Sequence, residues 1–163
     1  MARYNSGVGT GEGDDAVISF VFDEHENVAE WVKARLPMIR NGFGPCAAIG
    51  IIRNGLAIAG VVYHEYRGWD MQLSMAADSP YWCSRRTLNI LLGYPFNQLH
   101  VARITACTAK GNKRLRSLVE RLGFVLEGTH PRGFDGRETL LTYGLQREQA
   151  YKWIAHEKLR LAA

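Results

Sequence analysis

Five cations stand where a phosphate could be held. Arg85 and Arg86 follow Ser84, a candidate N-cap, and Lys110, Lys113 and Arg114 flank Gly111 and Asn112 ahead of a second helical pattern. Unpaired N–H groups at a helix start carry partial positive charge, so the amides of Ser84, Arg85, Arg86 and Thr87 with cations beside them form an anion site without a dedicated pocket. Between Cys83 and Arg137 there are ten Lys or Arg against three acids (Glu120, Glu127 and Asp135), a surplus of seven on a chain of net charge +4. The partner this predicts is a polyanionic cofactor. For Arg116 and Arg121 a solvated helix face is the simpler reading.

The elements that must position these residues follow from periodicity. Leu88, Leu91, Leu92, Phe96 and Leu99 have helical spacing after Ser84, residues 101–107 alternate as a strand, and Leu115, Leu118, Val119 and Leu122 resume a helix that stops at Gly123. Earlier in the chain, residues 17–22 read as a strand. Asp23, Glu24 and Glu26 then open a helix carrying Val28, Trp31, Val32 and Leu36. Residues 47–53 and 56–66 are strands joined at Asn54-Gly55, a hairpin signal. A second turn at Arg67-Gly68 leads to residues 70–76, where Met71, Leu73 and Met75 alternate with Gln72 and Ser74. Residues 139–145 close the sheet. This order predicts an α/β (α+β) domain over residues 17–146, with a mixed, mostly antiparallel sheet and helices on its faces. Residues 1–16, rich in glycine, are expected to be a flexible lead-in. Residues 147–163 are expected to be a C-terminal helix with Tyr151, Ile154, Ala155 and Leu159 on its buried face, docked on its own domain; a homodimer interface is the sharper alternative.

With 163 residues, 47% of them apolar, the chain can bury one core without staples. No apolar run reaches the roughly 20 residues that span a bilayer, and no signal peptide opens the sequence, so a soluble, cytoplasmic protein without membrane partners is expected. Cys46, Cys83 and Cys107 are odd in number and follow no metal spacing, which argues against a disulfide framework or a metal site.

Residues 101–146, with GNKRLRSLVERLGF and VLEGTHPRGFDGRETLLTYGL, resemble the second half of a GNAT-family N-acetyltransferase, particularly the branch acting on ribosomal-protein N-termini. The first half, GFGPCAAIGIIRNGLAIAGVVYHEYRG with SMAADSPYW after it, is similar to phage-encoded members of the superfamily. The resemblance implies a single-domain fold whose sheet splays in the middle, with acetyl-CoA as acyl donor. Its pantetheine arm would lie between residues 70–76 and 101–107, along the backbone of Met75 and Ala76. The pyrophosphate would lie over Ser84, Arg85, Arg86 and Thr87; Asn112 would contact the pantetheine, and Lys110, Lys113 or Arg114 the adenosine phosphate. The sequence departs from the family pattern twice: the phosphate loop is CSRRT, without glycine, and Val119 stands where many members carry a tyrosine acid.

The implied chemistry is direct attack of an amine on the thioester, with the protein orienting the groups, removing one proton and stabilising an oxyanion. Catalytic candidates near the acceptor are Glu65, Ser74, Glu127 and Tyr143, with His64 and His130 nearby; His64 reads more readily as a satisfied rim histidine. Trp69 and Trp82 either line the acceptor channel or cap the core. Residues 101–109 carry no carboxylate, so a primary amine of low pKa is expected as acceptor, on a small molecule, a peptide or a protein N-terminus. Two other classes remain open here: a phage-type enzyme that modifies a DNA nucleobase, for which the basic face would be a nucleic-acid contact, and a GNAT-fold binding protein that has lost catalysis.

Overall fold

The computed structural model describes residues 17–154. The expected lead-in at residues 1–16, and Ala155 and Leu159 of the expected C-terminal helix, lie outside the described residues.

Among the described residues seven strands form one sheet in the order β1-β2-β3-β4-β5-β7-β6. These are β1 (Ile18–Val21), β2 (Cys46–Arg53), β3 (Leu56–His64), β4 (Asp70–Ala77), β5 (Arg103–Ala109), β6 (Val125–His130) and β7 (Leu140–Gln146). Every pairing is antiparallel except β4 with β5. The β2–β3 hairpin turns at Asn54 and Gly55, with φ of 50° and 78°, the left-handed pair that a tight two-residue loop requires. β3 ends at His64 rather than at Tyr66, because Glu65 takes φ 49° and leaves the ladder.

One helix, α1 (His25–Lys33), covers one face against β2 and β3. Its apolar side, Ala29 and Val32, meets Ala48, Val62 and Ala76. Its first residue is pinned by His25, whose Nδ1 accepts from the amide of Ala48 at 3.0 Å. Gly60 makes the close approach possible, since a Cβ there would stand 2.7 Å from a methyl of Val32.

The other face carries α2 (Arg85–Gly93), α3 (Lys113–Leu122) and α4 (Arg147–Ile154). Leu88, Leu91, Leu92, Val119, Leu122 and Ile154 from these helices share a core with Ile51, Val61, Tyr63, Ile104 and Leu145 of the sheet. Ser84 caps α2 as its sequence suggests, accepting from the amide of Thr87 at 3.1 Å. The helix stops short of Leu99, however. Tyr94–Gln98 form a π-helical turn containing Pro95, whose missing N–H breaks the α-helical ladder. The carbonyl of Leu91, which an amide at position 95 would have met, accepts instead from the hydroxyl of Tyr63 at 2.7 Å, and Arg147 donates to the carbonyls of Phe96 and Val101 at the end of the turn. α3 ends as expected at Gly123, φ 107°, with the amides of Gly123 and Phe124 returning to Glu120 and Val119.

The last helix docks on its own domain through Ala150 and Ile154, while Tyr151, expected on the buried face, is exposed and Trp153 packs in its place. Trp69 and Trp82 do not pair: Trp69 is 79% exposed at a hairpin, whereas Trp82 is 6% exposed in the core.

Replacing Gly60 with alanine forces α1 away from the sheet against a fully buried Val32. The expected cost is about 1–3 kcal/mol, read as a lower midpoint in urea denaturation.

Candidate active site

The sheet has a seam. β4 and β5 pair only at Asp70 with Arg103, Met71 with Ile104 and Gln72 with Thr105. Beyond those positions β4 runs on to Ala77 bonded only to β3, and β5 to Ala109 bonded only to β7. The facing edges from Leu73 and Ala106 onward therefore line a slot, and Met75 and Ala76 stand on its β4 side.

From β4 the chain passes through a 3₁₀ turn, Pro80–Trp82, to the start of α2. Ser84 and the buried Thr87 bond to each other at 2.9 Å, so both side chains are spent on closing the helix. The amides of Arg85 and Arg86 remain without a partner among the described residues. The two arginines then diverge. Arg85 donates to the carbonyl of Lys152 at 2.7 Å and leans toward the Trp153 ring, so it caps the end of α4. Arg86 lies 5.7 Å from the Phe20 ring and makes no ion pair among the described residues. Asn112 caps α3, its Oδ1 accepting from Leu115 at 3.1 Å, while Lys113 and Arg114 stand exposed on the first turn.

A second group of side chains collects on the face that carries α1. His64 is 7% exposed, and its Nε2 is 2.9 Å from the hydroxyl of Ser74. The ring of Phe43 lies 5.1 Å away. Glu65 accepts from Gln72 at 3.0 Å. Thr105 and Cys107 continue the same face on β5, across the seam from Gln72. A cavity of about 340 Å³ bounded by Glu26, Glu30, Phe43 and Cys46 adjoins this group. Burial holds the imidazole of His64 below its ordinary value of 6.5, with the carboxylate of Glu65 opposing.

Of the other expected members, Tyr143 leaves this face, whereas Glu127 shares it but is already paired. Tyr143 faces the opposite side of the sheet, 1% exposed, with its hydroxyl donating to Glu120 at 3.1 Å and accepting from Arg116 at 3.4 Å. It is a strut between β7 and α3. Glu127 is committed to Arg103 at 2.5 Å, an ion pair that crosses Gly144, where a Cβ would collide with both side chains. His130 reaches Thr142 at 3.3 Å. Phe43 and Gln72 join the group although nothing in their sequence context marks them: the register of β3 on β4 sets Gln72 opposite His64, and that of β2 on β3 sets Cys46 opposite it, with Phe43 just ahead in the chain.

None of the three thiols is activated. Partial desolvation raises the pKa of each, aided by Glu26 at Cys46 and by Glu65 at Cys107. A thiolate nucleophile is disfavoured on these grounds.

A sheet opened between its one parallel pair, flanked by an unpaired helix start, defines the fold of the GNAT acetyltransferases. Solved structures agree. A mutant form of the spermidine/spermine N-acetyltransferase SpeG of Vibrio cholerae superposes with a TM-score of 0.66 at 14% identity, covering 83% of this chain and 96% of that one. An acetyltransferase structure from Acinetobacter baylyi gives 0.64 at 15% identity over 84% and 96%. No family model matches the sequence. A curated Bacillus subtilis protein with the provisional name ribosomal N-acetyltransferase YdaF is 27% identical over 89 residues, 49% of this chain. The match spans 45% of that protein's length.

Two outcomes follow. Arg85→Ala lowers the melting temperature by a few degrees while Arg86→Ala does not, because only Arg85 caps α4. Acid stability carries a His64 component: below pH 6.5 the unfolded chain binds a proton that the folded chain refuses, so stability falls as pH drops through the lowered folded value. His64→Gln removes that part of the slope in chemical denaturation measured from pH 7 to pH 4.

Proposed function

We propose that this protein is an acetyl-CoA-dependent N-acetyltransferase acting on a primary amine of low pKa. The observation that carries the reading is the seam: two strand edges released from one another beside a helix start with two unpaired amides. Such edges fit an arm that bears amides, and such a helix start fits a pyrophosphate. Acetyl-CoA would supply the acyl thioester. The chain's own contributions are the backbone of Leu73, Met75 and Ala76 along the arm, the amides of Arg85 and Arg86 with the Arg86 guanidinium at the pyrophosphate, and Lys113 and Arg114 at the outer phosphate.

Amine acceptors are in keeping with the names of the similar proteins, one a spermidine/spermine and one a ribosomal acetyltransferase. The local chemistry narrows the choice. β5 carries no carboxylate, Glu127 is tied to Arg103, Glu65 is bonded to Gln72, and Val119 is buried. A lysine side chain, with a pKa of about 10.4, needs a strong base at neutral pH, whereas an α-amine near 7.7–8.0 is already about a tenth neutral. A peptide or protein α-amine, or an aromatic amine, suits this site better than a lysine side chain.

Calorimetric titration with acetyl-CoA tests the first part. Wild type should bind, and Arg86→Ala should weaken binding roughly tenfold, the effect of losing about 1.4 kcal/mol from one charge-assisted contact; no heat of binding from wild type overturns the reading. Paired acceptors test the second part. Turnover at pH 7 should favour a peptide α-amine over an Nα-blocked lysine, and Glu127→Gln should leave it within a fewfold.

A further inference from the structure

We infer that His64, acting through the hydroxyl of Ser74, receives the proton released by the acceptor amine; this rests on the acetyltransferase reading above. Ser74 lies on β4 two residues beyond Gln72, the last residue paired across the seam, so it stands where the slot opens. Its Oγ is 2.9 Å from Nε2 of His64, within reach for a proton to pass. The imidazole is 7% exposed and held by Phe43 on one side. A ring kept this far from water with one short polar contact has its orientation fixed. Of the ionisable side chains around the slot, it is the one whose environment keeps it neutral and ready to accept.

The groups facing His64 leave it in that state at neutral pH. From β2 comes Cys46, opposite His64 in the ladder, with its thiol held protonated by burial and by Glu26 of α1. From β4 come Gln72 and Ser74, both uncharged. Beyond them on β5 stands Thr105, uncharged and paired with Gln72, and further along the same face Cys107, whose thiol is also held protonated. Among the described residues Glu65, the next along the chain, is the carboxylate whose field reaches the ring, and it favours the imidazolium once a proton arrives. Burial disfavours a resident charge, while Glu65 stabilises a transient one.

In the step itself the neutral amine nitrogen forms the C–N bond to the acyl carbon and the C–S bond breaks. The nitrogen gives its extra proton to Oγ of Ser74 as Ser74 passes its own to Nε2 of His64. Reversal of that relay returns the proton to the departing thiolate, so the products are a neutral amide and a thiol. Ser74 is the residue that touches the amine, and His64 is the positioning residue behind it. The relay also accounts for the tolerance of valine at position 119, since the thiolate can be protonated from this side of the sheet.

The relay requires Nε2 to be bare and Nδ1 to carry the hydrogen, a tautomer that long-range ¹H–¹⁵N correlation reads directly in the full-length protein at pH 7.5. The expected pattern is Nδ1–H, with the His64 signals shifting on Ser74→Ala; an Nε2–H donating to Ser74 overturns the relay. Kinetics give the second reading, with a peptide α-amine as probe acceptor. His64→Gln, whose amide oxygen can still accept from Ser74 but cannot hold a proton, should bind acetyl-CoA with unchanged affinity. It should lose turnover on the order of 10²-fold, together with the acid limb of the kcat profile. Ser74→Thr should retain activity, and adding Ser74→Ala to His64→Gln should cost little more. A wild-type pH profile in His64→Gln would show that His64 only packs. Loss of acetyl-CoA binding in wild type would instead bring down the acetyltransferase reading itself, and calorimetry distinguishes the two failures.

Discussion

Three residue pairs of parallel ladder, Asp70 to Gln72 against Arg103 to Thr105, are all the strand pairing that joins the β1–β4 half of the sheet to the β5–β7 half. So short a seam leaves the slot open, and it also leaves the halves in need of another fastening. The helices supply it. Arg85 and Asn89 of α2, which follows β4, donate to the carbonyls of Lys152 and Trp153 in α4, which follows β7. Trp153 and Lys152 in turn donate to the carbonyls of Leu122 and Arg121 at the end of α3. Arg147 anchors the start of α4 to the π-helical turn. Orphan carbonyls at helix ends are met by side chains from the neighbouring helix, so the same bonds that satisfy the backbone hold the two half-sheets in register.

The seam also divides the chemistry between two faces. On the helical side the chain presents amides and cations, in keeping with the basic surplus of residues 83–137. On the α1 side it presents side chains already engaged with one another: His64 with Ser74, Glu65 with Gln72, Glu127 with Arg103. The proposed polyanionic cofactor and amine acceptor would thus approach one slot from opposite sides without meeting each other's binding groups. The alternation of side chains along β4 produces this division. Met71, Leu73 and Met75 face the main core, while Gln72, Ser74 and Ala76 face α1.

Local signals in the sequence are legible because they depend on one or a few neighbouring residues. Ser84 as a cap, Gly123 as a helix stop, Asn54-Gly55 as a tight turn and the alternation of residues 70–76 are of this kind, and the family resemblance added the splay. What depended on distant partners was not legible. Arg85 looks like a phosphate ligand until Lys152 is brought beside it. Tyr143 looks like an acceptor residue until the pairing of β5 with β7 sets it on the Ala106 side of the sheet. Apolar spacing through Leu99 suggests one long helix, yet Pro95 converts its end to a wider turn whose Phe96 carbonyl is met by the distant Arg147. Tyr151 and Trp153 exchange faces because the dock on α2 is decided by carbonyl geometry rather than by apolar spacing alone.

The clamp on α4 links the beginning of the proposed phosphate cradle to residues made much later. Arg85 and Asn89 wait for partners 67 and 64 positions further along the chain. During synthesis the strands through β4 and the helix after them emerge first, and the first turn of α2 must remain untethered until β7 has paired and α4 has formed. A nascent chain is therefore expected to acquire its hairpins well before the proposed phosphate cradle is complete. Ligand affinity in this fold would then report the docking of α4, while strand pairing through β4 would not.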